Sequence, residues 1–124
     1  MIAIVDDDEA VRVATQHLVR AFGFETRAFA SADEFLRYSS VTRWSCVISD
    51  VNMPGLSGIE LQRCLAAKGC SVPFIFVTAF PDPAIQDRAM KAGAVGFLSK
   101  PFASRDLIDC LERALRFDTT PNWR

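Results

Sequence analysis

The sequence has little of what a zinc site or a disulfide framework requires. It contains one histidine, His17, and four cysteines, and no Cys-x-x-Cys pair or Cys/His ligand spacing occurs. We therefore expect reduced thiols that pack as small apolar groups. His17 lies outside the apolar stripe of its predicted helix, so it is expected at the surface.

Charge excess and long apolar runs are missing as well. The 124 residues carry a formal net charge of −1, which predicts no general attraction to nucleic acid or to a membrane. No apolar run approaches the roughly 20 residues of a membrane-spanning helix, and no signal-peptide pattern opens the chain. We therefore expect a cytoplasmic protein. The length and the 50% hydrophobic content fit one domain with one sizeable core.

What the sequence does contain is an alternation of strand-like and helix-like segments. Apolar runs predict strands over 2–5, 24–29, 46–50, 72–78 and 95–98. Helix starts are marked by the capping boxes Ser31-Ala-Asp-Glu34 and Ser57-Gly-Ile-Glu60, by Asp82-Pro83, and by Ser104 in the last helix. Five β-then-α units with short connections predict a parallel sheet with helices on both faces.

The arrangement of the strands is limited by the handedness of their connections. Right-handed crossovers leave few orders for five strands, and one is the 2-1-3-4-5 order of the doubly wound, flavodoxin-like α/β fold. We expect residues 1–117 to form this domain and residues 118–124 to be a tail or the start of a linker. The first helix is expected to run to about Phe22 and to turn Val11, Ala14, Leu18 and Phe22 inward.

The chain is organised around the segment 46–55, in which a predicted buried strand ends in Asp50 and a Pro-Gly turn follows. Taken alone, an aspartate before Pro-Gly usually does no more than open a turn. In a parallel sheet, however, all strands end at one edge, and ligands bind at that edge in open α/β folds. The residues that end the other strands therefore decide how Asp50 is interpreted.

Charged and polar side chains end those other strands. Asp6 and Asp7 follow the first strand, Thr78 ends the fourth and Lys100 follows the fifth. Converging carboxylates are unfavourable, because each pair about 4 Å apart repels by roughly 1 kcal/mol in water and about 4 kcal/mol at an effective dielectric of 20. A hard divalent cation would reverse the sign, and oxygen ligands that leave room for water suit Mg²⁺. The pattern predicts a magnesium site.

Four motifs, in order and at the predicted strand ends, make the chain resemble the receiver domains of two-component response regulators over about residues 2–117. The motifs are Val5-Asp6-Asp7-Asp8-Glu9, the segment Ser49-Asp50-Val51-Asn52-Met53-Pro54-Gly55-Leu56-Ser57-Gly58, Val77-Thr78-Ala79, and Ala92-Gly93-Ala94-Val95-Gly96-Phe97-Leu98-Ser99-Lys100-Pro101-Phe102. The resemblance is greatest to receivers that precede a transcriptional output domain.

The resemblance implies a role for each residue at the sheet edge. Asp50 would accept a phosphoryl group from a phosphohistidine of a sensor histidine kinase. Asp6 and Asp7 would hold Mg²⁺ together with Asp50 and the backbone carbonyl of Asn52. Lys100 and the metal would neutralise the phosphoryl oxygens during transfer.

The resemblance also implies a switch rather than an independent enzyme. Thr78 would turn its hydroxyl onto the phosphoryl group, and Phe97 would rotate inward. The change would reach the face made by the fourth helix, fifth strand and fifth helix, control an output domain or partner, and promote homodimerisation. The Lys100–Pro101 bond is expected to be cis.

Other functions are considered beside this one. An aspartate-nucleophile phosphatase would start with Asp-x-Asp, which Asp6-Asp7-Asp8 fits, but Ala10 stands where Thr or Val is expected and the length leaves no room for a capping domain. A binding module that works without phosphate is disfavoured, because neither the acidic set nor Lys100 is missing. A stand-alone shuttle receiver is the alternative to a domain with an output domain. Residues 117–124 are too few for a DNA-binding helix-turn-helix.

One departure from the family pattern lies two residues past Thr78. Phe80 stands where the family often has a polar or charged side chain. One hypothesis is that Phe80 limits access of the attacking water and so alters the lifetime of the phosphoryl group. Asn52 could orient that water and act in the opposite direction, and the sequence leaves the order of the two effects open.

Overall fold

The structure, a computed structural model, describes residues 1–39 and 44–119, with only the backbone described for Ser39 and residues 117–119. The strands are β1 (Ile2–Val5), β2 (Thr26–Phe29), β3 (Cys46–Asp50), β4 (Phe74–Thr78) and β5 (Gly96–Ser99). The helices are α1 (Glu9–Ala21), α2 (Ala32–Ser39), α3 (Gly58–Ala67), α4 (Pro83–Lys91) and α5 (Ser104–Thr119). Strands and helices alternate along the described chain, as the sequence predicted.

The five strands form one parallel sheet in the order β2-β1-β3-β4-β5. The predicted doubly wound α/β architecture is therefore confirmed. The register aligns the strand ends, because Val5 pairs with Ser49 and Asp50 pairs with Val77. Thr78 pairs with Ser99 one strand further along. This alignment brings the polar residues that end the strands to a common edge.

The two faces of the sheet carry different cores. Alternate residues of a strand point to opposite faces. Ala3 and Val5 therefore pack in a core rich in aromatic residues with α2, α3 and α4, whereas Ile2 and Ile4 pack in an aliphatic core with α1 and α5. The sheet is thus covered on both sides, which explains why β1, β3 and β4 are buried along their whole length.

The helix starts use the signals read from the sequence. Ser57 forms a complete capping box with Glu60, in which each side chain accepts a hydrogen bond from the other residue's backbone N–H. Ser31 Oγ accepts from the Glu34 N–H at 3.1 Å. Asp82 caps α4 by accepting from the Ala84 N–H at 2.9 Å, with Pro83 in the first turn. These caps fix where each helix leaves the edge of the sheet.

The predicted buried face of α1 is partly wrong. Thr15 and Val19 are the buried residues of this helix, whereas Ala14 is exposed and Phe22 is 50% exposed. The helix ends at Ala21, so Phe22 is its C-cap residue and does not belong to its buried face. The inward face includes a threonine, which a search for apolar periodicity passes over.

Element boundaries differ from the prediction by one or two residues. β2 begins at Thr26 and β4 at Phe74, each two residues later than expected, and β5 is shifted by one residue to Gly96–Ser99. An apolar run continues beyond the residues that pair with a neighbouring strand, so it overestimates strand length. α5 runs to Thr119, and residues 120–124, which make up most of the predicted tail, lie outside the described residues.

The cysteines and the histidine are largely buried or exposed as the sequence predicted. All four cysteines lie among the described residues and none forms a disulfide: Cys46 and Cys110 are buried, Cys64 is partly buried, and Cys70 is exposed and so departs from the predicted packing. His17 is exposed, as predicted. Among the described residues, no helix combines the length and apolar character needed to cross a membrane.

Candidate functional site

Three carboxylates meet at the carboxyl edge of the sheet. Asp6 directly follows β1, Asp50 is the last residue of β3, and both are buried, whereas Asp7 is exposed. One carboxylate oxygen from each of the three lies within 4.8 Å of the others. β1 and β3 are neighbours in the sheet, so the parallel register by itself places Asp6 next to Asp50.

Lys100 from the loop after β5 joins two of these carboxylates. Its Nζ lies 3.1 Å from Asp6 Oδ2 and 3.1 Å from Asp50 Oδ2. The Lys100 backbone N–H donates to the carbonyl of Thr78 at 2.8 Å, which continues the pairing of β5 with β4. The Lys100–Pro101 bond is cis, in agreement with the resemblance. One ammonium thus bridges the ends of β1 and β3.

Backbone hydrogen bonds hold the two buried carboxylates in place. Asp6 Oδ1 accepts from the Asp8 N–H at 2.9 Å, and Asp50 Oδ1 accepts from the Asn52 N–H at 3.2 Å. The backbone of Asp6 is held as well, because the Arg12 guanidinium donates to its carbonyl at 2.8 Å. Each carboxylate therefore has one oxygen toward Lys100 and one toward its own loop.

Burial dominates the electrostatics of Asp50. Desolvation raises the pKa of its carboxyl above the usual 3.8, and the neighbouring charge of Asp6 acts in the same direction. The hydrogen bond and charge of Lys100, with the Asn52 N–H, lower the pKa without offsetting the rise. Burial alone would lower the pKa of Lys100, but its contacts with Asp6 and Asp50 together raise it above 10.5. Lys100 is therefore a cation at neutral pH.

The donor set fits a hard divalent cation. All three clustered side chains offer carboxylate oxygens, and no sulfur or imidazole ligand is among them. A carboxylate has about four acceptor positions. At Asp6 and Asp50 a backbone N–H and the Lys100 ammonium are the hydrogen bonds seen, so acceptor capacity is left over. The residues present therefore suit Mg²⁺, which prefers oxygen ligands and retains water.

Thr78, at the end of β4, is fully buried, and its hydroxyl oxygen accepts two hydrogen bonds. The donors are Nδ2 of Asn52 and the backbone N–H of Phe80, each at 3.0 Å. The Phe80 side chain is 75% exposed. Phe97 on β5 is partly buried and packs against the aromatic core, with its ring centroid 6.3 Å from that of Phe76.

The geometry and the motifs agree with what a comparison with protein families finds. The family model described as "Response regulator receiver domain" matches residues 2–112. The chain belongs to this receiver family. Receiver domains of response regulators are signalling switches that work with histidine kinases and output domains, and transcriptional regulators are named among the relatives.

Named relatives include regulators from several bacteria. The receiver is 41% identical over 116 residues to response regulator protein TmoT of Ectopseudomonas mendocina, covering 94% of this chain and 53% of TmoT. It is 38% identical over 111 residues to transcriptional regulatory protein FixJ of Rhizobium meliloti, covering 90% of this chain and 54% of FixJ. The chain thus spans about half the length of the curated relatives it matches.

Solved structures show the same fold. A response regulator receiver protein from Burkholderia phymatum superimposes with a TM-score of 0.80 at 43% identity, and the match covers 92% of this receiver and 93% of that chain. Because almost all of both chains is covered, the match extends over the whole domain. The flavodoxin-like class predicted from the strand order is confirmed.

Two features of the site were not predicted from the sequence. The Asn52 side chain contacts the Thr78 hydroxyl, whereas the sequence analysis gave Asn52 a backbone role at the metal and a hypothetical role toward the attacking water, neither of which involves Thr78. Gly58 packs so closely on β3 that a Cβ atom there would overlap the carbonyl oxygen of Asp50. Gly58 lies inside the recognised motif 49–58, and the signal available was a glycine, a poor helix former, in the first turn of a predicted helix. The contact of the Asn52 side chain depends on the conformation of the loop after β3, and no pattern in the sequence indicates it.

Proposed function

We propose that this receiver accepts a phosphoryl group on Asp50 from a sensor histidine kinase. The observation that carries the proposal is the shared ammonium of Lys100, which lies 3.1 Å from both Asp50 and Asp6 at the carboxyl edge of the sheet. A buried carboxylate with an acidic neighbour and a fixed cation is suited to gaining a phosphoryl group, whose added charge the cation offsets.

In the transfer, a carboxylate oxygen of Asp50 attacks phosphorus and the bond from phosphorus to the kinase histidine breaks. The product is an aspartyl phosphate, and the electron pair of the broken bond returns to the imidazole. Lys100 supplies a positive charge next to the oxygens of the incoming group. Burial raises the pKa of the Asp50 carboxyl, whereas Lys100 and the Asn52 N–H stabilise its ionised form, which is the nucleophile.

Asp6, Asp7 and Asp50, with the backbone carbonyl of Asn52, would hold Mg²⁺ in this site. When bound, the ion supplies positive charge for the phosphoryl oxygens in transfer and in hydrolysis. The exposed position of Asp7 leaves one side of the carboxylate cluster open to solvent, from which ion and phosphodonor arrive.

The output follows from Thr78 and Phe97. Thr78 would turn its hydroxyl onto the phosphoryl group and Phe97 would rotate inward, which changes the face made by α4, β5 and α5. Through that face, phosphorylation would promote homodimerisation and control an output domain that acts on transcription. A stand-alone shuttle is the alternative. We assign residues 1–117 to the receiver, residues 118–124 to a tail or the start of a linker, and the protein to the cytoplasm.

The assignment of Asp50 is tested by labelling with acetyl phosphate in the presence of Mg²⁺. Wild type should gain the mass of one phosphoryl group, and Asp50→Asn should gain none. Chelation of Mg²⁺ should abolish labelling of wild type. Asp87→Asn is the matched control, because Asp87 is an exposed aspartate on α4 that pairs only with the exposed Lys91 in the described structure. Undiminished labelling of Asp50→Asn would refute the proposal.

A further inference from the structure

Asn52 connects the proposed phosphoacceptor to the proposed switch residue. Its backbone N–H donates to Asp50 Oδ1 at 3.2 Å, and its side-chain Nδ2 donates to Thr78 Oγ1 at 3.0 Å. Asp50 and Thr78 end neighbouring strands, and Asn52 lies in the loop after the first of them. Asn52 therefore contacts the Asp50 carboxylate with its main chain and the Thr78 hydroxyl with its side chain.

The Thr78 hydroxyl oxygen has no acceptor capacity left in this arrangement. A hydroxyl oxygen has two lone pairs, and those of Thr78 are used by Asn52 Nδ2 and the Phe80 N–H. A change of side-chain rotamer moves the oxygen by more than the few tenths of an ångström that a hydrogen bond tolerates. Turning the hydroxyl toward Asp50 therefore requires these bonds to break or rearrange.

The Asn52 carboxamide has no structural need for this bond. Asn52 is exposed, so water can satisfy its side chain, whereas Thr78 is fully buried and depends on its neighbours. The bond thus affects the position of Thr78 more than that of Asn52. Loss of the Asn52 bond would leave the buried Thr78 hydroxyl oxygen with one of its two hydrogen bonds, the one that it accepts from the Phe80 backbone N–H.

We propose that the Asn52 carboxamide is a positioning group that holds Thr78 in the unswitched arrangement and so sets how readily phosphorylation converts the domain. The inference rests on the proposed function, in which Thr78 moves onto the phosphoryl group. It differs from a role of Asn52 in directing hydrolytic water, because it concerns the equilibrium between two conformations and not the lifetime of the phosphoryl group.

The test measures binding of beryllofluoride, a phosphoryl mimic that forms no hydrolysable bond, in saturating Mg²⁺. Asn52→Leu removes the donor and keeps a similar volume. Loss of one net hydrogen bond from the unswitched state should tighten beryllofluoride binding by about 2- to 10-fold. In the absence of beryllofluoride, the amide signals of Thr78 and Phe80 should shift toward their positions in the bound state. Asn52→Ala should show the same tighter binding and the same amide shifts as Asn52→Leu.

The Thr78→Val background separates this role from a direct effect on the ligand. If Asn52 acts through the hydroxyl, then Asn52→Leu should change beryllofluoride affinity less than about 2-fold once the hydroxyl is gone. An effect of the same size in both backgrounds would overturn the proposal, since Asn52 would then act on the ligand directly. Mg²⁺ is kept saturating for every variant, because the backbone carbonyl of Asn52 also belongs to the proposed metal site.

The remaining outcomes are also distinguishable. Equal beryllofluoride affinity of wild type and Asn52→Leu, or weaker binding by the variant, would overturn the role of Asn52 while leaving Asp50 as the acceptor. Failure of wild type to bind beryllofluoride, together with labelling that persists in Asp50→Asn, would instead refute the proposed function itself. Thr78→Val must retain the thermal unfolding transition, and Thr78→Ala can replace it if it does not.

Discussion

The middle of the sheet and its carboxyl edge place opposite demands on the same strands. Within the sheet, Phe74 and Phe76 of β4 are buried and stack with ring centroids 5.3 Å apart, so burial of apolar area stabilises the fold. At the end of β3, Asp50 is buried as well, and burial raises its pKa because the charged form is poorly solvated. Stability and function are thus separated by only a few residues along each strand.

This contrast explains how a small domain can hold an unfavourable site. The apolar rows of the two cores stabilise the strands, and the strand ends then carry groups whose charges repel. Lys100 stabilises the ionised form of Asp50, but desolvation by burial, together with the charge of Asp6, still leaves the pKa of Asp50 raised. A bound cation would therefore stabilise the edge, whereas the apolar middle has no charges that a cation could offset.

The largest effect on stability is expected from the middle of the sheet. Phe76→Ala should lower the free energy of unfolding by about 3–5 kcal/mol, because it leaves a cavity in the aromatic core. Phe80→Ala is the matched control, since Phe80 lies four residues further on with a side chain that is 75% exposed, and should change stability by less than about 0.5 kcal/mol. Urea unfolding measures both. Similar losses would break the distinction between middle and edge.

A smaller loss is expected where the middle meets the edge. In Gly58→Ala the added Cβ would overlap the backbone carbonyl oxygen of Asp50, which cannot move without displacing the end of β3. We expect a loss of about 1–3 kcal/mol and slower labelling by acetyl phosphate, although alanine is the better helix former by about 1 kcal/mol.

The control for Gly58→Ala is Ala66→Gly, at an exposed position of the same helix. It should be destabilised by about 1 kcal/mol with unchanged labelling. Helix propensity alone would give the two variants opposite signs, so a stabilised Gly58→Ala would contradict the steric explanation.

The smallest expected effect on stability is a gain in the free energy of unfolding. Asp50→Asn should raise the free energy of unfolding at neutral pH, without Mg²⁺, by about 1 kcal/mol, the order of the repulsion between nearby carboxylates. The asparagine oxygen can still accept a hydrogen bond from Lys100. Asp87→Asn should be neutral or slightly destabilising, since it loses an exposed pair with Lys91.

The pH dependence of this difference follows from the raised pKa of Asp50. A raised pKa means that the folded state favours the protonated carboxyl, so this stabilisation is complete below 3.8 and is lost as pH rises through the folded value. The advantage of Asp50→Asn should therefore be small near pH 3.8 and larger at neutral pH. An advantage that grows on acidification would contradict the burial of an ionised Asp50. Unfolding followed at both pH values measures it.

Much of the fold could be predicted because local and global signals agree. Apolar runs, caps such as Ser57 and Asp82, and short connections all indicate five β-α units, and handedness restricts their order. Strand boundaries were less predictable, as Val72 belongs to an apolar run but not to β4. The face of α1 was wrong at Ala14 and Phe22 because burial of Thr15 depends on packing against the sheet.

The candidate site shows the same division. The meeting of Asp6, Asp50 and Lys100 follows from parallel strands alone, so motif and topology were enough to expect it. The bond from Asn52 to Thr78 depends on the path of a loop, which no periodicity encodes. Residue types at strand ends are thus readable from sequence, whereas contacts between loop side chains are not.

The bridge made by Lys100 also has a consequence for the order of events during synthesis. Lys100 is 94 residues from Asp6 and 50 residues from Asp50 along the chain, and it belongs to the loop after β5, the strand of this sheet that is synthesised after the other four. Until β5 docks on β4, the ends of β1 and β3 have like charges and no lysine between them. The proposed phosphoacceptor therefore gains its neighbouring cation only once the fifth strand has joined the sheet.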